Sequence, residues 1–222
     1  MERLAANACT TANLVYTTGP AFAIMKPVSR AKELEAQSQS MEQQLRLLQK
    51  ISRILAREAN FPKALDQIVS LVVEFTHSDS CLIYLVRAKE LVLCASNNPQ
   101  PGTIGSVRLA LGEGLTGWVA KERRFLAISS EAYSDPRFKL FPVLPEDSYE
   151  AFLSAPILLR GRMTGVINVQ HRDAHTHTGG EMELLNTVAE QIACLVAMAK
   201  VDMDALAKAD PTELFLAPAA RS

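Results

Sequence analysis

The sequence contains few cysteines, no long block of like charge and no long apolar run. Its four cysteines are scattered, without a C-x-x-C pair or a zinc-like spacing. This argues against a disulfide framework and a cysteine metal site. The net charge is -1 and no five or six like charges occur together, which argues against nucleic-acid and anionic membrane partners. No apolar run reaches the ~18 residues of a membrane span. We therefore expect a cytoplasmic protein.

What is present is enough apolar sequence for a core. Of the 222 residues, 48% are hydrophobic and 21% are charged, as in one soluble domain with extensions. Residues 1–27 show no period and are expected to be a flexible N-terminal segment. Residues 201–222 are expected to be a C-terminal tail. Whether translation starts at Met1 or Met25 is left open.

Residues 28–58 lack glycine and proline and are rich in helix-forming residues, which predicts a long helix. One row of a possible coiled-coil seam repeats every seven residues: Leu34, Met41, Leu48 and Leu55. The second row is ragged: Gln37, Gln44, Ile51 and Glu58. The helix is therefore predicted, and its pairing as a dimeric coiled coil is left open.

Two hairpins and two further helices follow. The runs SDSCLIYLVR and ELVLCASN predict one antiparallel hairpin, and SAPILLRGRMTGVINVQHR predicts a second. Asn60 and Pro62 suit the start of a helix before the first hairpin. After the second hairpin, Thr178 and Glu181 have the spacing of a capping box for a last helix.

The stretch LGEGLTGWVA contains Gly112, Gly114 and Gly117 in the spacing G-x-G-x-x-G. This spacing is found in dinucleotide-binding domains, where it links a strand to a crossover helix. Here only seven residues separate Gly117 from the next strand-like run, and the neighbouring elements are hairpins. A doubly wound parallel sheet is therefore not expected. The glycines are interpreted as a turn from a strand into a short helix.

Four segments together resemble the GAF domain family. They are GEGLTGWVA at 112–120, SDPRF at 134–138, SAPILLRGRMTGVINVQ at 154–170 and THTGGEMELLNTVAEQIA at 176–193. The resemblance implies a domain at residues 59–200 with an α+β fold. A central antiparallel sheet would carry helices on one face. Loops and short helices would cover a small-molecule pocket on the other face, and the long helix at 28–58 would precede the sheet.

The resemblance also implies a set of ligand-binding residues. By family position they are Trp118, Ser129, Tyr133, Asp135, Phe138, Ser154, Ile157, Asn168 and Gln170. Strand alternation in GVINVQ directs Ile167 and Val169 toward the helices, so Asn168 and Gln170 face the pocket. The alternative is that Asn168 and Gln170 are solvent-facing or bonded to neighbouring loops. Trp118 and Phe138 also suit the core.

Specialised relatives fit less well. Of the five residues typical of cyclic-nucleotide-binding GAF domains, only Asn168 is present. No cysteine lies between Cys94 and Cys194, where a bilin-bearing domain needs one. The stretch PEDSYEAFLSAPI also lacks the cysteine of free methionine sulfoxide reductases. No catalytic residue is therefore assigned, and no enzyme is expected.

Three histidines, His171, His175 and His177, lie within seven residues. Converging imidazoles could bind zinc, iron or haem. However, His175 and His177 would point in opposite directions in a strand, and His177 stands where the family usually has a packing aromatic. Burial is the simpler interpretation, so no metal site is expected.

The sequence leads to three functional hypotheses. The first is a stand-alone cytoplasmic sensory or regulatory GAF domain. It would bind an unidentified small molecule, with no cofactor assigned, and signal through a homodimer or a partner protein. The second is a ligand-free dimerisation or interaction module that uses the helix at 28–58. The third is a reductase of the methionine sulfoxide type that uses Cys81 or Cys94.

Overall fold

The computed structural model describes residues 27–140 and 149–208. In chain order its elements are α1 (Pro27–Arg57), α2 (Phe61–Thr76), β1 (Ser80–Arg87), β2 (Glu90–Ser96), β3 (Arg108–Ala110), α3 (Gly114–Glu122), β4 (Leu126–Ile128), a 3-10 turn (Ala132–Ser134), β5 (Ala151–Leu159), β6 (Arg162–His171) and α4 (Gly179–Lys208). Residues 1–26 and 209–222, parts of the predicted N-terminal segment and tail, lie outside the described residues. The chain divides into the units Met1–Ser38 and Gln39–Ser222, and the whole sheet belongs to the second.

The sheet has six strands in the order β3-β2-β1-β6-β5-β4, and every neighbouring pair is antiparallel. This confirms the predicted α+β fold and both predicted hairpins. The first hairpin turns at Ala88 and Lys89, and the second turns at Arg160 and Gly161, all with positive φ. Because every neighbouring pair is antiparallel, the glycine stretch does not link two parallel neighbouring strands as it does in a dinucleotide-binding unit.

Helices α2 and α4 each begin at a side chain that caps the first turn, as the sequence predicts. Asn60 Oδ1 accepts a hydrogen bond of 3.0 Å from the Lys63 amide. At the start of α4, Thr178 Oγ1 accepts from the Glu181 amide at 3.2 Å, and Glu181 Oε2 accepts from the Thr178 amide at 2.7 Å. These bonds satisfy amides that the first turn of a helix leaves unpaired.

Each face of the sheet has its own apolar core. On the helix face, α1, α2 and α4 pack against a set that includes Ile83, Leu153, Ile157, Ile167 and Val169. On the opposite face, α3 and the loops pack against a set that includes Leu82, Tyr84, Leu93, Phe152 and Val166. We call this second side the loop face. The two cores hold the sheet rigid between the helices and the loops.

The N-terminal helix α1 packs on its own domain through Leu47 and Ile51, which are fully buried in the helix-face core. Solvent exposure changes along the predicted seven-residue row. Leu34 and Met41 are 58% and 63% exposed, whereas Leu55 is partly buried against the core. Leu47 and Ile51 are four residues apart and lie on one helix face. The most buried stripe of α1 therefore differs from the predicted heptad row.

Two glycines are required by close backbone contacts. A Cβ on Gly165 would lie 2.3 Å from the Tyr84 carbonyl oxygen, where β6 pairs with β1. A Cβ on Gly117 would lie 2.6 Å from the Ala110 carbonyl oxygen, where α3 folds back on β3. Gly112 and Gly114, with φ of 92° and 66°, form the turn between these elements. The three glycines thus have the structural role expected from the sequence.

The first part of α4 is long and apolar enough, by length and composition, to span a membrane. Leu185, Val188 and Ile192 of this segment are buried in the helix-face core. A core helix of a soluble domain has the same composition, and the packing of α4 on β5 and β6 matches that role. α4 continues to Lys208, so the tail expected from residue 201 begins as helix.

Candidate functional site

The end of β6 directs alternate side chains to opposite faces of the sheet. Ile167 and Val169 lie in the helix-face core, whereas the Asn168 amide nitrogen reaches Thr116 on α3 and Gln170 lines a cavity on the loop face. The side-chain directions predicted from alternation are therefore correct. Asn168 and Gln170 are polar, yet both are buried on this face, with 0% and 2% of their surface exposed.

A small cavity lies between β5, β6, α3 and the loops, and we call it the loop-face cavity. Its described lining residues are Leu115, Thr116, Ala132, Phe138, Lys139, Tyr149, Phe152 and Gln170. Its volume is about 10 Å³, which accommodates a single water molecule. The part of the cavity that the described residues line is therefore smaller than a metabolite.

Gln170 places an unpaired acceptor at this cavity. Its Oε1 is buried and has no hydrogen-bond partner among the described residues. A buried polar atom without a partner costs about 1–3 kcal/mol of stability. The glutamine therefore favours any molecule in the cavity that can donate a hydrogen bond.

Ser154, Asn168 and Thr116 form a buried chain of hydrogen bonds across three elements. The Ser154 hydroxyl on β5 donates to Asn168 Oδ1 at 2.7 Å, and Asn168 Nδ2 donates to Thr116 Oγ1 at 2.7 Å. The Asn168 amide thus already has a donor and an acceptor partner within the protein. Of the two alternatives in the sequence, the structure favours bonding to neighbouring elements for Asn168.

The roof of the cavity, residues 132–140, is attached to α3 through Arg137. The guanidinium carbon of Arg137 lies 4.5 Å from the centre of the Trp118 ring. Arg137 also forms a two-point ion pair with Asp135, with distances of 2.8 Å to Oδ1 and 2.6 Å to Oδ2. Hydrogen bonding from Arg137 lowers the pKa of the Asp135 carboxyl. Trp118 and Asp135 therefore orient the arginine that holds the roof.

A second contact holds the roof nearby. Lys139 is paired with Glu113, which precedes α3, and Glu113 Oε2 accepts a hydrogen bond of 2.7 Å from the Ala110 amide. The hydrogen bond from Lys139 lowers the pKa of the Glu113 carboxyl. The roof is thus attached to the glycine turn as well as to α3.

The remaining sequence-predicted residues are placed differently. Ile157 is wrong as a pocket residue, because its side chain is fully buried in the helix-face core. Ser154 and Ile157 are three positions apart on one strand, so they must face opposite sides. Ser129 and Tyr133 are exposed, and the neighbouring Glu150 carboxylate raises the pKa of the Tyr133 phenol. Of the nine predicted residues, Phe138 and Gln170 are among the described lining residues of the cavity.

Sequence reasoning missed several lining residues. Phe152 lies two positions before Ser154 on β5 and shares its face, so strand alternation was a usable signal for it. Leu115 and Thr116 lie within the glycine stretch, whose spacing indicates a turn and gives no side-chain direction. Ala132 and Tyr149 come from irregular segments, where no periodicity indicates a direction.

The three clustered histidines converge on the helix face, beside the start of α4. The rings of His171 and His175 stack with centroids 4.0 Å apart, and the centroids of His175 and His177 are 5.0 Å apart. His175 and His177 lie in the loop after β6 and not in a strand, so the opposite directions that a strand would give them do not apply. Burial lowers the pKa values of His171 and His177.

The cysteines on the sheet are poor nucleophiles. Cys81 is fully buried in the helix-face core, and burial raises the pKa of its thiol. Partial burial also raises the pKa of Cys94. The nucleophilic form of cysteine is the thiolate, so the raised pKa values make both thiols weaker nucleophiles than an ordinary cysteine.

Comparison with known proteins identifies the class to which this fold belongs. Residues 60–196 match the GAF domain family, so the chain belongs to that family. Domains of this family are generally regulatory.

The most informative relatives come from phosphotransferase systems. The chain is 27% identical over 160 residues to a Salmonella typhimurium protein named "Phosphoenolpyruvate-dependent phosphotransferase system". This match covers 70% of the chain but 21% of the relative, so the chain spans about a fifth of the length of that protein. It is also similar to the GAF domain of a phosphoenolpyruvate-protein phosphotransferase from Coxiella burnetii. That structure has a TM-score of 0.69 and 27% identity, with 74% of this chain and 98% of that chain covered.

An enzyme shares the same fold at lower identity. A free methionine-R-sulfoxide reductase from Neisseria meningitidis, solved with its substrate, matches with a TM-score of 0.60 and 17% identity. The match covers 70% of this chain and 89% of that chain. At this identity the likeness concerns the fold alone.

Proposed function

We propose that this chain is a sensory GAF domain that binds a small polar metabolite in the loop-face cavity. The observation that carries the proposal is the buried, unpaired Oε1 of Gln170. It lies beside the apolar walls formed by Leu115, Phe138 and Phe152. Apolar walls with a few directed polar groups are typical of small-molecule sites. A ligand that donates to Gln170 would recover the stability that the unpaired acceptor costs.

The polar groups around the cavity indicate a ligand class. Gln170 offers an acceptor at the lining, where Lys139 is paired with Glu113. When the roof opens, a ligand carboxylate could take the place of Glu113 beside Lys139, while a donor on the same molecule bonds Gln170. Amino acids therefore stand first among the candidate ligands.

Binding requires the roof to open, and the polar contacts that close it are weak. The Arg137 guanidinium over Trp118 and the Lys139–Glu113 pair lie near the surface. Contacts of these kinds contribute about 0–1 kcal/mol each. The partial burial of Phe138 adds at most a few kcal/mol. A ligand whose contacts exceed this opening cost by about 8 kcal/mol would bind with a micromolar dissociation constant.

The relatives suggest where such a sensor would act. The relatives from Salmonella typhimurium and Coxiella burnetii are both named as proteins of phosphoenolpyruvate-dependent phosphotransfer. We therefore propose that ligand binding here regulates a cytoplasmic phosphotransfer partner, through a protein contact or a second copy of the chain. Neither a nucleic acid nor a membrane is part of this proposal, and no catalytic step is assigned to the chain.

Thermal unfolding against a panel of metabolites tests this function. The panel contains amino acids, 2-oxoglutarate, nucleotides and cyclic nucleotides. A ligand at ~100 times its dissociation constant adds about 2.7 kcal/mol of stability, which raises the midpoint by roughly 5–10 °C for a domain of this size. Gln170→Leu should abolish the shift, and Ser129→Ala, at an exposed position, should keep it. A panel without any shift, or a shift that Gln170→Leu leaves intact, would overturn the proposal.

One observation favours the second candidate, a ligand-free dimerisation module. The cavity holds only a single water, and α1 exposes Met41 and Leu45, at 63% and 56%. A second copy of α1 would cover these side chains. Sedimentation equilibrium should then give a dimer that Met41→Glu dissociates, while Gln43→Glu, at another exposed position of the same turn, keeps it. A monomer at all concentrations would exclude this candidate.

A further inference from the structure

His171, His175 and His177 come together where β6 ends and the chain turns into α4. One ring nitrogen from each lies within 4.8 Å of the others. His171 is the last residue of β6, and the other two belong to the loop that leads to Gly179. All three rings therefore face one small volume although they lie on different segments of backbone.

His177 has the ring arrangement of a metal ligand. Its Nε2 is buried and finds no hydrogen-bond partner within residues 27–140 and 149–208. The Ile128 carbonyl accepts a hydrogen bond from the same ring, which assigns that donor to Nδ1. A histidine that donates one N–H to a backbone carbonyl presents the lone pair of its other nitrogen in a fixed direction. A buried lone pair without a partner is costly, and a cation would satisfy it.

His175 is held by a carboxylate that is itself held in place. Its Nε2 lies 2.8 Å from Glu181 Oε1. The other oxygen, Glu181 Oε2, accepts from the Thr178 amide at 2.7 Å and from the Thr178 hydroxyl at 3.0 Å. A carboxylate that accepts from one ring nitrogen leaves the other for a metal and makes it more basic. The capping box of α4 thus also orients His175.

His171 supplies a rigid third position. It is 8% exposed, and its carbonyl accepts a hydrogen bond of 2.9 Å from the Glu150 amide. Its side chain points to the helix face, whereas the adjacent Gln170 points to the loop-face cavity. The histidine cluster is therefore separate from the proposed metabolite site.

We propose that His171, His175 and His177 bind a divalent transition metal of the Zn²⁺ class through three imidazole nitrogens. Glu181 orients His175. Imidazole nitrogens suit zinc, copper and nickel, whereas Mg²⁺ and Ca²⁺ require oxygen ligands. Three histidines leave a fourth position for water or another ligand.

The geometry requires one modest rearrangement. Nitrogens bound tetrahedrally to Zn²⁺ at ~2.0–2.1 Å lie ~3.4 Å apart, so the cluster must contract by about an ångström. Two stacked rings cannot direct in-plane lone pairs to one metal, so His171 and His175 must also unstack. His175 is the ring that reorients, because its side chain is 34% exposed on a loop; it would turn about the hydrogen bond to Glu181, which is kept. His171 and His177 keep their present surroundings.

Metal titration of the full chain, free of any polyhistidine tag, tests the site. Chelator-treated protein is titrated with CoCl₂, whose visible absorption reports tetrahedral coordination, and with ZnCl₂ by calorimetry. We expect one equivalent to bind. We also expect saturating ZnCl₂ to raise the unfolding midpoint by roughly 5–10 °C and equal MgCl₂ to leave it unchanged.

Two variants distinguish the cluster from other metal-binding groups. His177→Phe preserves an aromatic ring for packing but removes the ligand, so it should fold and weaken zinc binding by at least tenfold. Cys194→Ser removes an exposed thiol of α4 that is not part of the histidine cluster, and should bind as tightly as the wild type. Absence of binding in the wild type, or unchanged binding by a folded His177→Phe, would overturn the proposal.

Discussion

The Ser154 hydroxyl and the Asn168 side chain are joined by a hydrogen bond of 2.7 Å between strands β5 and β6, with both residues 0% exposed. Asn168 passes the connection on to Thr116 of α3. The buried amide is therefore a structural connection between the sheet and the helix that closes the loop face. Removal of the Asn168 side chain should therefore lower the free energy of unfolding, whether or not a ligand is bound.

We predict that Asn168→Ala lowers the free energy of unfolding by about 2–4 kcal/mol. The change leaves two buried hydroxyls without their present partner and opens a small cavity. Urea unfolding measures the difference. Ser129→Ala, at an exposed position, should stay within about 0.5 kcal/mol of the wild type. A similarly small effect for Asn168→Ala would show that the chain of hydrogen bonds contributes little.

We predict that Gly165→Ala is among the most harmful single-methyl additions in the sheet. The added Cβ would lie 2.3 Å from the Tyr84 carbonyl oxygen and 2.8 Å from a Leu85 methyl. Because the nearest contact is backbone, β1 and β6 would have to separate, at a cost of about 3 kcal/mol or more. Gly179→Ala is the matched control, since a Cβ added at Gly179 would meet no neighbouring group within 4 Å. Equal unfolding midpoints for the two variants would contradict this account.

We predict that alkylation separates the cysteines by exposure. Cys194 is exposed, whereas Cys81 is buried with a raised pKa. At pH 7.5 iodoacetamide should modify Cys194 readily and Cys81 only on global unfolding, with Cys94 slow because burial raises its pKa as well. Peptide mass spectrometry over time measures the rates, and Cys194→Ser identifies the fast site. Rapid labelling of native Cys81 or Cys94 would revive the reductase hypothesis.

We predict that Asp135 titrates below its ordinary pKa of 3.8, chiefly because Arg137 donates hydrogen bonds to it. The folded-state pKa is lowered, so the stabilising contribution is present above 3.8 and is lost as the pH falls through the folded value. Carbon-13 NMR of the carboxyl measures the titration. In Arg137→Gln the midpoint should rise toward 3.8. Superimposable titration curves for the two proteins would contradict the proposed hold on the roof.

Much of the fold follows from local sequence signals. The hairpins, the Asn60 cap and the capping box at Thr178 were predictable because each depends on neighbouring residues and a simple period. The same alternation directed Asn168 and Gln170 correctly. Alternation also places Ile157 on the helix face, where its side chain lies, so the assignment of Ile157 to the pocket by family position is wrong.

The rest depends on contacts between segments distant in sequence. Thr116 meets Asn168 across 52 positions, and neither residue carries a local signal for the other. The buried stripe of α1 is set by how the helix lies on α2 and α4, which a heptad count does not contain. The histidines converge because a loop curls back beside α4, and loops have no period from which a side-chain direction follows.

Gln170 and His171 are neighbours in sequence, yet Gln170 lines the loop-face cavity and His171 belongs to the histidine cluster on the opposite face. A ligand that moves the end of β6 from one side therefore changes the surroundings of the other side within a single peptide unit. By thermodynamic linkage any such effect is reciprocal: the metabolite would alter the affinity for the metal by the same factor as the metal alters the affinity for the metabolite. Because the two proposed sites share the end of β6, this small domain would respond to the metabolite and the metal together and not to each independently of the other.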